Sequence, residues 1–161
     1  MIESELADCV ERCLEGEVRM FGGGSPGSRV LALPGVVAGI TPATPERSLF
    51  NSVFYRDGLA LQAAYRELDH AYASAGVRAW TVWLRPADVA LAAELGRLGH
   101  VLDGRVIGMA AALGELSLPA PGELEWSLVP DCDAVGALND ASYSLAPPAF
   151  AAAVQSFAGV A

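Results

Sequence analysis

Three stretches of the chain predict a mixed α/β fold. Between Leu49 and Leu84 an apolar run, a turn, an amphipathic stretch and a second apolar run follow one another. Earlier, Pro34-Gly35 splits two short apolar runs, Val30–Leu33 and Val36–Ile40, and before them Ser4–Phe21 carries apolar residues at helical spacing. The first pattern reads as strand, helix, strand, a crossover that places two parallel strands in one sheet. The second reads as a hairpin, whose strands are antiparallel. The sheet is therefore expected to be mixed, with helices against it.

Taken in order, Ser4–Phe21 is the first helix, with Leu6, Val10, Cys13, Leu14, Val18 and Phe21 as its buried face. Gly22-Gly23-Gly24 reads as its stop, leading into a flexible loop through Ser28. A phosphate-binding loop would need a strand before the glycines, a helix after them and a Lys-Ser/Thr pair. The chain has no lysine at all. After the hairpin, the two prolines in Thr41–Arg47 exclude a helix or a central strand there, leaving a loop that delivers the chain to Leu49.

Leu49–Tyr55 is the expected buried strand, interrupted only by Asn51-Ser52. Asp57 fits a helix N-cap, and Leu61, Ala64, Tyr65, Leu68 and Tyr72 line one face of the helix that follows, with Gln62, Arg66 and Asp69 opposite and Gly76 as the stop. Val77–Leu84 resumes strand chemistry through Val77, Trp80, Val82 and Trp83. Pro86–Leu98 is the next helix, with Asp88 at its positive end and a stripe of Val89, Ala92, Leu95 and Leu98. A hairpin or two strand segments are expected over His100–Leu113, turning at Asp103-Gly104. Leu116–Gly122, with Pro119 and Pro121, reads as a linker. Beyond it lie a strand at Leu124–Val129, a helix capped by Asp131 and carrying Val135, Leu138 and Tyr143, and a last helix opened by Pro147-Pro148.

Composition narrows the function classes. The 161 residues are 53% hydrophobic, enough for a core, with 10 basic residues, all Arg, against 19 acidic ones and a formal net charge of -9. Binding to a nucleic-acid backbone rests on basic patches, so nucleic acid is not an expected partner. No apolar run approaches the ~18 residues of a membrane-spanning helix, and the first 21 residues are acidic, so a soluble cytoplasmic protein with no membrane partner is expected. Cys9, Cys13 and Cys132 are odd in number and follow no paired framework; Cys9 and Cys13 share a helical face, and core packing, not metal binding, is their expected role. His70 and His100 lack a partner at a spacing that supports general-base chemistry.

The succession helix, hairpin, strand, helix, strand, helix, strand, with Leu95-Gly96-Arg97-Leu98-Gly99-His100 at its last helix-to-strand corner, resembles the GCN5-related N-acetyltransferase (GNAT) fold. Thr41–Val53 and Ala79-Trp80-Thr81-Val82-Trp83 are similar to the amino-terminal half of actinobacterial tandem GNAT proteins, which pair a degenerate domain with a complete one. The resemblance implies a mainly antiparallel mixed sheet flanked by helices. It assigns 1–116 to the degenerate domain, 117–122 to a linker and 123–161 to the incomplete beginning of a second GNAT-like domain.

It also implies transfer of an acetyl group from acetyl-CoA to an amine. In that family the cofactor pyrophosphate rests on backbone N–H groups at a helix N-terminus, behind a Gln/Arg-x-x-Gly-x-Gly/Ala loop. Here the matching turn is Arg56-Asp57-Gly58-Leu59-Ala60, so Arg56, Gly58 and Ala60 are the implied cofactor contacts. The turn departs from the pattern in having one glycine and an aspartate. Asn139, Asp140 and Tyr143 are the implied acceptor-side residues, with Tyr143 as the catalytic candidate and Asp140 as a second group able to handle a proton. On this reading the segment itself is noncatalytic and the activity belongs to residues after Ala161. Two other readings compete: a noncatalytic interaction module, forming a homo-oligomer or pairing with a C-terminal GNAT domain, and a divergent single-domain acyltransferase using residues 56–60.

Overall fold

The computed structural model describes residues 3–24, 27–106 and 131–142. Its elements are α1 (Glu3–Gly23), β1 (Arg29–Leu33), β2 (Val36–Ile40), β3 (Ser52–Tyr55), α2 (Gly58–Ser74), β4 (Thr81–Val82), α3 (Val89–Arg97) and α4 (Cys132–Ser142). The four strands form one mixed sheet in the order β1-β2-β3-β4. β1 and β2 pair antiparallel from Arg29↔Ile40 to Leu33↔Val36, β2 and β3 antiparallel through Val37↔Phe54, and β3 and β4 parallel through Ser52↔Thr81 and Val53↔Val82. Both the expected hairpin and the expected crossover are present. Gly35 has φ +73°, the conformation the second residue of a Pro-Gly turn needs.

The period of two along β2 and β3 sorts their side chains onto two faces. Val36, Ala38, Ile40, Val53 and Tyr55 pack against Leu61, Leu68 and Tyr72 of α2 and Leu91 and Leu95 of α3. Val37 and Phe54 face the other way, onto Val18 and Leu14 of α1, with Trp83 beside them. The result is three layers: α1, the sheet, then α2 and α3.

Gly22 sets how close the first two layers come. It is helical and buried, and a Cβ built on it would lie 2.8 Å from the Gly39 Cα; one built on Gly39 would lie 2.7 Å from the Val18 carbonyl oxygen. Backbone meets backbone here. The glycine run is thus not only a stop: its first residue is a packing surface.

Both strands of the crossover are shorter than expected. Asn51 is fully buried and closes the loop before β3: its Oδ1 accepts the Thr41 N–H at 2.7 Å, and its Nδ2 donates to the Thr44 and Arg47 carbonyls at 2.9 and 3.0 Å. Turns from Phe50 N–H to Arg47 O and from Asn51 N–H to Ser48 O hold Leu49 and Phe50 out of the ladder. In β4's segment, the N–H groups of Arg78 and Ala79 both donate to the Pro45 carbonyl, so pairing with β3 is confined to Thr81–Val82.

Two side-chain expectations and one strand are corrected. In α1, Val18 and Phe21 are buried, but Cys13 is exposed and Cys9 only half-buried, so the two thiols are not core residues. In α3 the buried pair is Leu91 and Leu95, four apart, whereas Val89, Ala92 and Leu98 are exposed. The helix starts three residues after Pro86, and a strict spacing of three drifts off its buried face. Val101 and Leu102 form no strand and are exposed. The expected partners at 107–113, the linker, the strand at 124–129 and the last helix lie outside the described residues.

Candidate functional site

The C-terminal ends of β3 and β4 converge on the first turn of α2, where a crossover of this kind offers a ligand its helix N-terminus. Asp57 has extended backbone, φ -147° and ψ 155°, and its side chain accepts the Ala60 N–H at 2.9 Å. The expected N-cap is therefore present, and it consumes a donor that a phosphate would use. The hairpin tip covers the same turn. Arg56 N–H donates to the Gly35 carbonyl at 2.8 Å, and a Cβ on Gly35 would come within 2.8 Å of the Ala60 Cβ and 3.6 Å of the Asp57 Oδ2.

Arg56 points away from the helix end. Its guanidinium pairs with Glu15 of α1 at 2.8 Å, and Glu15 also binds Arg19. Gly58 faces Leu91: a Cβ built on it would lie 3.6 Å from Leu91 Cδ2, in ordinary contact. Arg56, Gly58 and Ala60, the cofactor contacts that the resemblance implies, all lie in this one turn. Arg56 is engaged by an acid, the capping side chain is a carboxylate, and the hairpin tip packs against Ala60.

A polar network that sequence reasoning missed stands beside this turn. The Tyr55 hydroxyl donates to Asp88 Oδ2 and accepts the Arg85 N–H at 3.2 Å. Arg85 grips Glu11 of α1 with two bonds of 2.8 and 3.1 Å, donates to the Arg56 carbonyl at 2.7 Å, and lies 5.4 Å over the Tyr55 ring. Burial, reinforced by the bond to Asp88, pushes the Tyr55 hydroxyl up to about 12. The Arg85 guanidinium is likewise raised, chiefly by its bond to Glu11. Asp88 does not cap α3 through its side chain, because Tyr55 holds it. The bonded partners are twenty-nine or more residues apart, so no local pattern could have shown them.

On the other side of α2, a groove of about 410 Å³ runs between α2 and α3 over Leu61, Leu91 and Leu95, rimmed by Gln62, Asp69 and Glu94. His100 lies near Tyr65, which also borders this groove: its Nε2 is 3.0 Å from the Tyr65 hydroxyl, and its ring meets Trp80 edge-on at 4.6 Å. Burial lowers the affinity of His100 for a proton, opposed by the charge of Asp69. His70 is exposed, with Ser74 as its neighbour.

Asn139 and Asp140 sit on α4, whose start is capped by Asp131 accepting the Ala134 N–H at 2.8 Å, as expected. Asn139 donates to the Val135 carbonyl of its own helix at 2.9 Å, and Asp140 is buried. Tyr143 lies outside the described residues. No group of three metal-ligating side chains is present, and no helix is long and apolar enough to cross a membrane, among the described residues. No family model, no curated protein and no solved structure matches the chain.

Proposed function

We propose that this chain is the N-terminal part of a GNAT-type acyltransferase that moves an acetyl group from acetyl-CoA to an amine, and that residues 1–116 form its noncatalytic domain. The resemblance carried by Thr41–Val53 and Ala79–Trp83 supplies the family, and the hairpin followed by a β3-α2-β4 crossover is consistent with it. The observation that supports a noncatalytic role is the self-capped α2 N-terminus, where Asp57 and the hairpin tip stand in the place of a cofactor phosphate. Bringing a polyphosphate there would set its charge against Asp57 and cost the helix its cap. On this reading the domain shapes or supports a neighbouring catalytic unit through its three-layer core.

Calorimetric titration of acetyl-CoA into the chain, paired with thermal melting, tests this. Neither saturable heat nor stabilisation is expected. Saturable binding that Gly58→Trp abolishes, at a position where the nearest side chain is the end of Leu91, would instead establish a working cofactor site in residues 56–60.

A further inference from the structure

Cys9 and Cys13 are left unexplained by the core and by the site at α2. They are free thiols one turn apart on α1, Cys13 exposed and Cys9 half-buried. Residues four apart on a helix place their Cβ atoms about 5–6 Å from each other on one face. A disulfide needs roughly 3.5–4.5 Å between Cβ atoms, so closing one here would distort the helix. A linear bridge of two metal–sulfur bonds, at about 2.3 Å each, spans roughly 4.6 Å between sulfurs and is reached by side-chain rotation alone. Arg12 adds a second observation: its guanidinium donates to Cys9 Sγ at 3.0 Å, setting a fixed positive charge beside the pair. No third His, Cys, Asp or Glu joins them in a metal-holding group among the described residues, and two thiolates suit a two-coordinate soft cation better than tetrahedral zinc.

We infer that Cys9 and Cys13 form a two-coordinate thiolate site for a soft, thiophilic cation, with cuprous copper as its probe. Binding forms two copper–sulfur bonds and releases the two thiol protons. Copper stays cuprous, and the resulting complex carries one net negative charge, which Arg12 balances.

The test is anaerobic titration of cuprous ion in competition with a chromophoric cuprous chelator, using the full chain carrying Cys132→Ser so that these two thiols remain. One copper per monomeric chain is expected, with thiolate-to-copper charge-transfer absorption in the ultraviolet. Cys9→Ser or Cys13→Ser should each lower affinity by an order of magnitude or more. The combination Ala7→Cys with Cys13→Ser keeps two thiols but turns them about 200° apart around the helix, and it should lose affinity equally. Circular dichroism of each variant establishes that α1 persists. Undiminished binding in the Ala7→Cys, Cys13→Ser protein, copper shared between two chains, or no competition with the chelator would each overturn the proposal.

Discussion

Asn51 shows how much one polar residue can organise. It sits inside an apolar run, where the sequence pattern treats it as an interruption, yet it makes three hydrogen bonds to the backbone of the Thr41–Arg47 loop while fully buried. Replacing it with alanine leaves a buried N–H and two carbonyls without that partner. Asn51→Ala should therefore destabilise the fold by roughly 2–4 kcal/mol, read from urea unfolding. His100 gives a pH signature. Its proton affinity is lowered in the folded state by burial, so its contribution to stability is present above the unfolded value of about 6.5 and is lost as pH falls through the lower folded value. Melting temperature should drop between neutral pH and pH of about 5, and His100→Gln should flatten part of that drop. Tyr55 acts at the opposite end of the scale: its folded value of about 12 lies above the ordinary tyrosine value, so its stabilising contribution holds below about pH 10 and fades as pH rises further. Ultraviolet titration of Tyr55→Phe against the parent chain should remove a late phenolate transition.

At the level of elements, Asp57 is both a cap and an obstacle. Asp57→Ala should cost about 1 kcal/mol by loss of the cap, while Asp57→Ser, which keeps a capping oxygen, should recover most of it in the same denaturation experiment. The helix was readable because capping is local: the residue type, the spacing and the following Gly-Leu-Ala all lie within one turn. The hairpin was readable for the same reason, since Pro34-Gly35 dictates its turn. Strand lengths were not. Whether Leu49 joins β3 depends on hydrogen bonds from Asn51 to residues 41–47, and whether Arg78 and Ala79 join β4 depends on the Pro45 carbonyl that takes their N–H groups. The expected stripe of α3 fails because a strict spacing of three drifts off the face that buries Leu91 and Leu95, four apart.

Across the whole molecule, the site-adjacent network is the least legible part. Glu11 and Arg85 are 74 positions apart, and their pairing depends on α1 lying along the sheet with its first half beside the ends of β3 and β4. Composition shows many acids on α1, but only the packed structure tells which of them meet an arginine. The pairs are partly exposed, so each contributes modestly and weakens in salt. Their joint effect is to fasten α1 to the end of the sheet where the candidate site lies.

The glycine contact between Gly22 and Gly39 fixes the rotational setting of α1 as well as its distance from the sheet. With main chain touching main chain, the helix has no compliant side-chain layer in which to absorb a turn about its axis. One extra residue inserted between Glu15 and Val18 would rotate everything before it by about 100° relative to that anchor, swinging Glu11 and Glu15 away from Arg85 and Arg56. The same insertion before Glu5 would leave both pairs in place. Tolerance to length change along this one helix should therefore switch abruptly, generous at its beginning and nil near its end.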